Sequence, residues 1–284
     1  MYTEWKSFTD HSFPYLTGNS FAVQCKHIWN YDNYKINPYK NNDWVFVKTD
    51  YVGNFFKSST VPDSFVLFTH NSDYPINDSY KQFLEDKRVR IWFAQNADFN
   101  HPKLKPIPIG IANAGYSHGD IQTLNKVRSE SDANNTKTSL FYANFSLNTN
   151  VAERRKCLEK TGVPLAKDIN GGWDGFAGCY HLPNTYEGYL RETSKACFAL
   201  SPRGNGLDCH RTWEALYVNT IPIVTKSLVV EEHKDFPIVI LNDWNDFNSA
   251  DFTTERYKEI WGNFNTGKLH MDNYLKRLTE KYGI

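Results

Sequence analysis

Residues 201–216 read SPRGNGLDCHRTWEAL and follow an apolar run, ACFAL, at 196–200. These residue types suit a phosphate ligand. Gly204 and Gly206 let backbone approach a bound group closely, and Arg203 supplies a planar fork for phosphate oxygens. Asp208 is a good N-cap for the helix expected next, and the free N–H groups of a first helical turn attract anions. Ser201 opens the loop. Arg211 and Glu214 are three apart and share a helix face. A carboxylate there can accept two hydrogen bonds from a ribose diol while an arginine holds a diphosphate. A capped helix with an internal Arg–Glu pair is the plain structural alternative.

A second stretch, FYANFSLNTNVAERR at 141–155, has the same order of strand, polar loop and helix start. Asn144, Ser146 and Thr149 offer amide and hydroxyl groups, and Arg154 or Arg155 could reach a phosphate from the first helical turn. Ser, Asn and Thr before a helix also serve as caps. Earlier, THNSDYP at 69–75 directly follows the apolar run SFVLF. Either His70 or Asp73 could act as general base toward a hydroxyl, although Asp73 before Tyr-Pro could equally shape a turn. Gln95 and Asn96, closing RIWFAQN, are candidate ligands for sugar hydroxyls.

The chain carries no G-x-G-x-x-G, no G-x-x-x-x-G-K-[ST], no G-x-S-x-G and no H-E-x-x-H, so the usual dinucleotide, P-loop, hydrolase and zinc-protease signals are missing. A nicotinamide-dependent epimerase or dehydrogenase is thereby disfavoured. There is also no D-x-D, so a leaving diphosphate is expected to be neutralised by arginines and helix N-termini, with no metal or other cofactor required. Lys plus Arg equals Asp plus Glu at 32 each, so no global charge draws the chain to nucleic acid or anionic lipid. Aromatic residues reach 15%, which suits sugar stacking and a bulky core alike. Five widely spaced cysteines give neither a disulfide framework nor a zinc pattern. No apolar h-region or membrane-length run occurs, so a cytoplasmic protein without a membrane span is expected.

The elements that would position these residues alternate. DWVFVKTD (43–50), DSFVLFTHNSD (63–73) and RVRIWFAQNAD (88–98) read as buried parallel strands, with a helix expected at 77–87 and an extended segment at 103–113. A polar stretch at 117–138 reads as a linker, with room for a short helix. Strands at 139–146, 196–200 and 220–224 then alternate with helices at 150–162, 185–195 and 212–219, and a Gly-rich loop lies at 169–178. The pattern predicts an α/β protein with two Rossmann-like domains: 1–125 on the acceptor side and 138–250 for a nucleotide-sugar. A helical tail at 252–284 could return to the first domain. Ligands in such sheets bind outside the carboxyl ends of the strands, here expected in a cleft that the two domains face.

SPRGNGLDCHRTWEALYVNTIPIV resembles the donor-site signature of exostosin-like glycosyltransferases, in which a strand, an S-P-R-G loop, an Arg and an E-A-L helix precede a G-x-I-P-V strand. Ser201, Arg203, Gly204, Arg211, Glu214 and residues 221–224 carry the match, which is close over about 30 residues. Asn219 stands where the signature has Gly. The resemblance implies a GT-B fold and inverting, metal-independent transfer from a UDP-sugar to a glycan or glycoprotein acceptor. Arg203 and Arg211 would hold the UDP phosphates, Glu214 the ribose, and Asp73 would be the base. Cellular exostosins are usually membrane-anchored; a compact form without an anchor is similar to the enzymes with which large algal viruses decorate a capsid glycoprotein in the host cytoplasm. That likeness implies UDP-xylose as donor and a fucose of an N-glycan as acceptor. A non-catalytic carbohydrate-binding module is the alternative from another class.

Overall fold

The computed structural model describes residues 12–30, 33–35, 40–58, 61–134, 136–166, 185–262 and 264–284. Two compact units divide the chain. Unit 1 holds Met1–Asn113, Gly206–Asp208 and Gly267–Ile284, and unit 2 holds Ala114–Asn205 and Cys209–Thr266. Both are mixed α/β, with sheets dominated by parallel strands and compatible with Rossmann-like domains.

In unit 1 the helix α1 (Gly18–Gln24) precedes strands β1 (His27–Asn30), β2 (Asn33–Lys35) and β3 (Asp43–Lys48). Then come α2 (Val52–Lys57), β4 (Phe65–His70), the single turn α3 (Lys81–Leu84), β5 (Val89–Ala94) and β6 (Leu104–Pro106). The strand order is β2-β1-β3-β4-β5-β6, and only the β1–β2 pair is antiparallel. All six residues of β4 are buried, as a continuous Phe/Val/Leu run between parallel neighbours should be. Phe55, Phe65, Leu67 and Trp92 fill the core on one face, and the Trp92 indole donates to Thr69 Oγ1 at 2.8 Å, so its one polar atom is satisfied.

Unit 2 contains α4 (Ile121–Ala133), β7 (Ser139–Ala143), α5 (Val151–Thr161), α6 (Tyr186–Ser194), β8 (Ala196–Leu200), α7 (His210–Tyr217), β9 (Ile221–Thr225), α8 (Leu228–Glu232), β10 (Val239–Leu241) and α9 (Thr254–Trp261). Its parallel sheet has the order β10-β9-β8-β7. Gly162 closes α5 at φ 65°, the left-handed end that Gly provides at least cost. Asn219 follows α7 at φ 62°, a conformation Asn tolerates better than other side chains, and its amide donates to Asp132 Oδ1 at 2.9 Å. Lys137 Nζ donates to the carbonyl of Ser194, the last residue of α6, at 2.7 Å and to Asn219 O, two residues past α7, at 2.6 Å. The last helix, α10 (Met271–Tyr282), belongs to unit 1, where Met271 N donates to Pro14 O and Tyr274 meets the Phe21 ring edge-on.

Three expectations need correction. The stretch 117–138 is mostly the thirteen-residue α4, capped by Asp120 and burying Leu124, Val127 and Ser131. Its narrow buried stripe leaves the composition polar, which is why it reads as a linker. The units accordingly part between Asn113 and Ala114, not near 125, and the tail divides, α9 lying in unit 2 and α10 in unit 1. The helix at 77–87 shrinks to a 3₁₀ turn, Asp78–Tyr80, and α3. The Gly-rich loop at 169–178 lies outside the described residues.

At the amino end of β3, Asp43 Oδ2 accepts from His27 Nε2 at 2.8 Å, Lys26 Nζ at 3.0 Å and Lys40 N at 2.7 Å. Burial pulls its pKa up, but these donors outweigh that and bring it from 3.8 to about 2. A carboxyl depressed on folding stabilises the protein above its unfolded pKa and loses that contribution as pH falls from about 4 through about 2. After discounting for solvent, about 1–2 kcal/mol should be lost over that window. Asp43→Asn should remove the same amount at pH 7 and flatten this part of the acid limb in urea titrations.

Candidate functional site

Strands β7 and β8 lie side by side with Ala143 opposite Leu200, so the loops leaving them start together at the carboxyl edge of the unit 2 sheet. Two buried arginines tie these loops. Arg154 donates from Nη1 to Ser146 O at 2.5 Å and from Nε to Arg203 O at 3.3 Å. Arg211 donates from Nε to Asn144 O at 2.8 Å and from Nη1 to Pro202 O at 3.4 Å. Both guanidinium groups sit over the Phe145 ring, at 5.8 and 5.2 Å from its centroid. These carbonyl and ring partners are neutral, and each solvates its guanidinium through dipole or quadrupole. A Cβ at Gly204 would stand 2.9 Å from Arg154 Nη2, so a larger residue there would displace that guanidinium.

Glu214, one turn into α7, is buried at 2% exposure. Its Oε2 accepts from the Tyr189 hydroxyl at 3.0 Å, and its Oε1 makes no hydrogen bond with a described residue. Burial lifts its pKa from 4.5 to about 7, against the opposing pull of Tyr189, Arg211 and Tyr186. A buried carboxyl oxygen without a donor is costly and offers an acceptor to a hydroxyl ligand.

The other expected donor residues differ in role. Arg203 and Arg155 are exposed, whereas Arg154 turns inward; the choice between Arg154 and Arg155 falls to Arg154 for the loop contacts. Ser201 Oγ is taken by Thr212 Oγ1 at 2.9 Å and Cys209 Sγ at 3.2 Å, which pins the loop to α7. Asn144 donates to the Tyr142 hydroxyl at 2.9 Å, Ser146 Oγ accepts from Asn148 N, and the Thr149 methyl packs toward Gly204. Asp208 is not the helix cap. The helix starts at His210 with Cys209 at the cap, and Asp208 instead packs in unit 1, where its Oδ2 accepts from Ile109 N at 2.9 Å.

In unit 1 the carboxyl edge carries Asp73, which is exposed on the turn after β4. That turn is clamped through Ser72. Ser72 O accepts from Asn96 Nδ2 at 3.0 Å, its Oγ accepts from Tyr74 N at 3.2 Å, its hydroxyl bonds the Asp50 carboxylate, and its N–H points to Gln95 Oε1 at 3.5 Å. Gln95 and Asn96 were expected to bind sugar hydroxyls. Both are buried, Asn96 Oδ1 accepts from Leu207 N at 2.9 Å, and both side chains meet Ser72. His70 is buried as well. Its Nδ1 accepts from Asn71 N at 2.7 Å, which leaves Nε2 to donate to Pro108 O at 3.1 Å. With both ring nitrogens engaged at 2% exposure, His70 is a structural histidine in this arrangement.

Sequence reasoning passed over Tyr189, Tyr186 and Asp50. The tyrosines gave no signal, because TYEGYLRETS reads as an ordinary amphipathic helix. Asp50 did give one: it follows its strand two residues on, much as Asp73 follows the next strand at three.

Among the described residues no three His, Cys, Asp or Glu side chains converge to hold a metal ion, and no helix is long and apolar enough to cross a membrane. No protein-family model matches the chain, and no curated protein matches its sequence.

Proposed function

We propose that this chain is an exostosin-like glycosyltransferase of GT-B type that moves a sugar from a UDP-sugar to a hydroxyl of a glycan acceptor, with inversion and without a metal. The observation that carries the reading is the pairing of Arg154 and Arg211 over Phe145 with Glu214, whose Oε1 meets no donor in hydrogen-bond geometry among the described residues. Arg211, Arg154 and the amino end of α7 hold the diphosphate. Glu214 accepts hydrogen bonds from the ribose hydroxyls. Asp73 takes the proton of the acceptor hydroxyl as its oxygen attacks the anomeric carbon from the face opposite the diphosphate. The bond from that carbon to the β-phosphate oxygen breaks, its electron pair leaves with UDP, and the guanidinium groups stabilise the charge that develops. UDP-xylose and a fucose-containing N-glycan are the donor and acceptor to try first, on the resemblance alone.

Thermal melts in EDTA with UDP-xylose, UDP-glucose, GDP-mannose and CMP test the donor site. A ligand at a hundred times its Kd adds about 2.7 kcal/mol. A shift specific to uridine nucleotides and undiminished by EDTA is expected; no shift with any of them would count against the site.

Glu214 adds a pH signature. Its ionised form is the better acceptor for a ribose diol, and the ionised fraction rises through about 7. UDP-sugar affinity should therefore increase from pH 6 to 8, and Glu214→Gln should flatten the profile. Stability runs the other way. A carboxyl whose pKa is raised by folding holds a proton that the unfolded chain has lost, so the ligand-free protein loses stability as pH rises from about 4.5 to about 7. Calorimetric titration with a UDP-sugar and urea melts over the same pH range would separate the two trends.

A further inference from the structure

Lys48, at the end of β3, is in register with His70 at the end of β4, so the turns that follow emerge together. Lys48 Nζ lies 3.0 Å from Asp50 Oδ2 and 5.6 Å from the centre of the Tyr51 ring. The Asp50 carboxylate also bonds the Ser72 hydroxyl, and that same Oγ accepts from Tyr74 N. One hydroxyl thus joins the Asp50 carboxylate to the backbone that carries Tyr74. Tyr74 is 62% exposed, one of the few large aromatic residues so open among those described. A ring that exposed contributes little to the core, and a surface Lys–Asp pair is worth at most about 1 kcal/mol. The Asp50–Ser72 bond clamps the turn, but folding gives little reason for the open ring of Tyr74 or for the Lys48 ammonium beside the carboxylate.

Sugar chemistry gives one. A pyranose presents an apolar C–H face that stacks on an aromatic ring. Its vicinal hydroxyls donate to a carboxylate and accept from an ammonium. The neighbour in sequence of Tyr74 is Asp73, the base of the proposed reaction. We infer that Tyr74, Asp50 and Lys48 form a pyranose subsite that holds the acceptor sugar beside Asp73. Ser72 is a positioning residue within it. The inference rests on the glycosyltransferase reading for its role, while the carbohydrate binding it predicts can be measured without it.

Saturation-transfer NMR with the methyl glycosides of glucose, galactose, mannose, xylose and fucose is the test. At least one probe should bind the wild-type protein. Tyr74→Ala should weaken that probe by about tenfold. Asp50→Asn, which keeps the side-chain shape, should weaken it by about tenfold or more, since it removes charge-assisted hydrogen bonds. Tyr74→Phe keeps the ring and should stay within about threefold of wild type. Melts with UDP-xylose should be the same in all three variants. No probe binding to the wild-type protein, or equal binding to Tyr74→Ala, would overturn the subsite. Loss of probe binding in Tyr74→Ala with no uridine nucleotide shifting any melt would keep the subsite and remove the transferase reading. A uridine shift with glycoside binding indifferent to Tyr74 would do the reverse.

Discussion

Asp73→Asn should all but abolish sugar transfer and leave UDP-sugar binding intact. General bases contribute about 10²–10⁴ to a rate, so kcat should fall by about a thousandfold while the Kd for the donor stays within about twofold. The asparagine keeps the size and turn-forming ability of Asp73, so the turn clamped through Ser72 should survive. His70 cannot take over, because a backbone N–H occupies Nδ1 and Pro108 O occupies Nε2. Donor binding by calorimetry and transfer by chromatography of the labelled acceptor are the two readouts. If more than about a tenth of kcat remains, the base lies elsewhere, since a missing general base costs more than that. Asp50 is then the next carboxylate to replace, being hydrogen-bonded to the same serine. Burial raises the Asp50 pKa, but Lys48 and Ser72 outweigh it and hold the group below its ordinary value. That makes it a weaker base than its position alone suggests.

Arg211→Ala should cost both donor affinity and stability. A guanidinium that meets a diphosphate makes charge-assisted hydrogen bonds of about 1.5–3 kcal/mol each, so two of them predict a loss of at least about a hundredfold in UDP affinity. The same side chain holds Asn144 O and Pro202 O, and its loss leaves buried carbonyls short of donors, at about 2–4 kcal/mol in total. Arg211→Lys separates the effects. Lysine restores a positive charge without the planar fork, so it should recover part of the affinity and little of the loop tethering. Arg154→Ala should behave like Arg211→Ala, because Arg154 spans the same two loops. Arg155→Ala, one residue away and exposed, should be within about 0.5 kcal/mol of wild type. Calorimetric titration with UDP and urea melts give the two quantities. Wild-type UDP affinity in a folded Arg211→Ala protein would move the donor site away from this loop.

The strands β3, β4, β5, β7, β8 and β9 were legible because each is an apolar run bounded by polar residues, and burial on both faces of a parallel sheet writes that run directly into the sequence. The helices α5 and α7 were legible for a related reason, one ending at Gly162 and the other at Asn219, both with positive φ. The short elements β1, β2, β10 and α1 were not, since three to seven residues hold too few positions to establish a period. The ribbon of α4 buries so little that its composition resembled a linker.

At the site, the sequence determined which residue types gather at the strand ends. The tertiary structure decided which of them are spent. His70, Asn96 and Asp208 look like ligand groups in a one-dimensional reading, yet each is engaged by backbone, and Asp208 finds its partner 99 residues away at Ile109. Arg154 and Arg155 are equivalent in the sequence, and helix rotation alone buries one and exposes the other. A polar side chain at a strand end has the same composition whether it clamps a neighbouring loop or faces a ligand. The difference is the position of a donor or acceptor that only the folded chain brings within 3 Å.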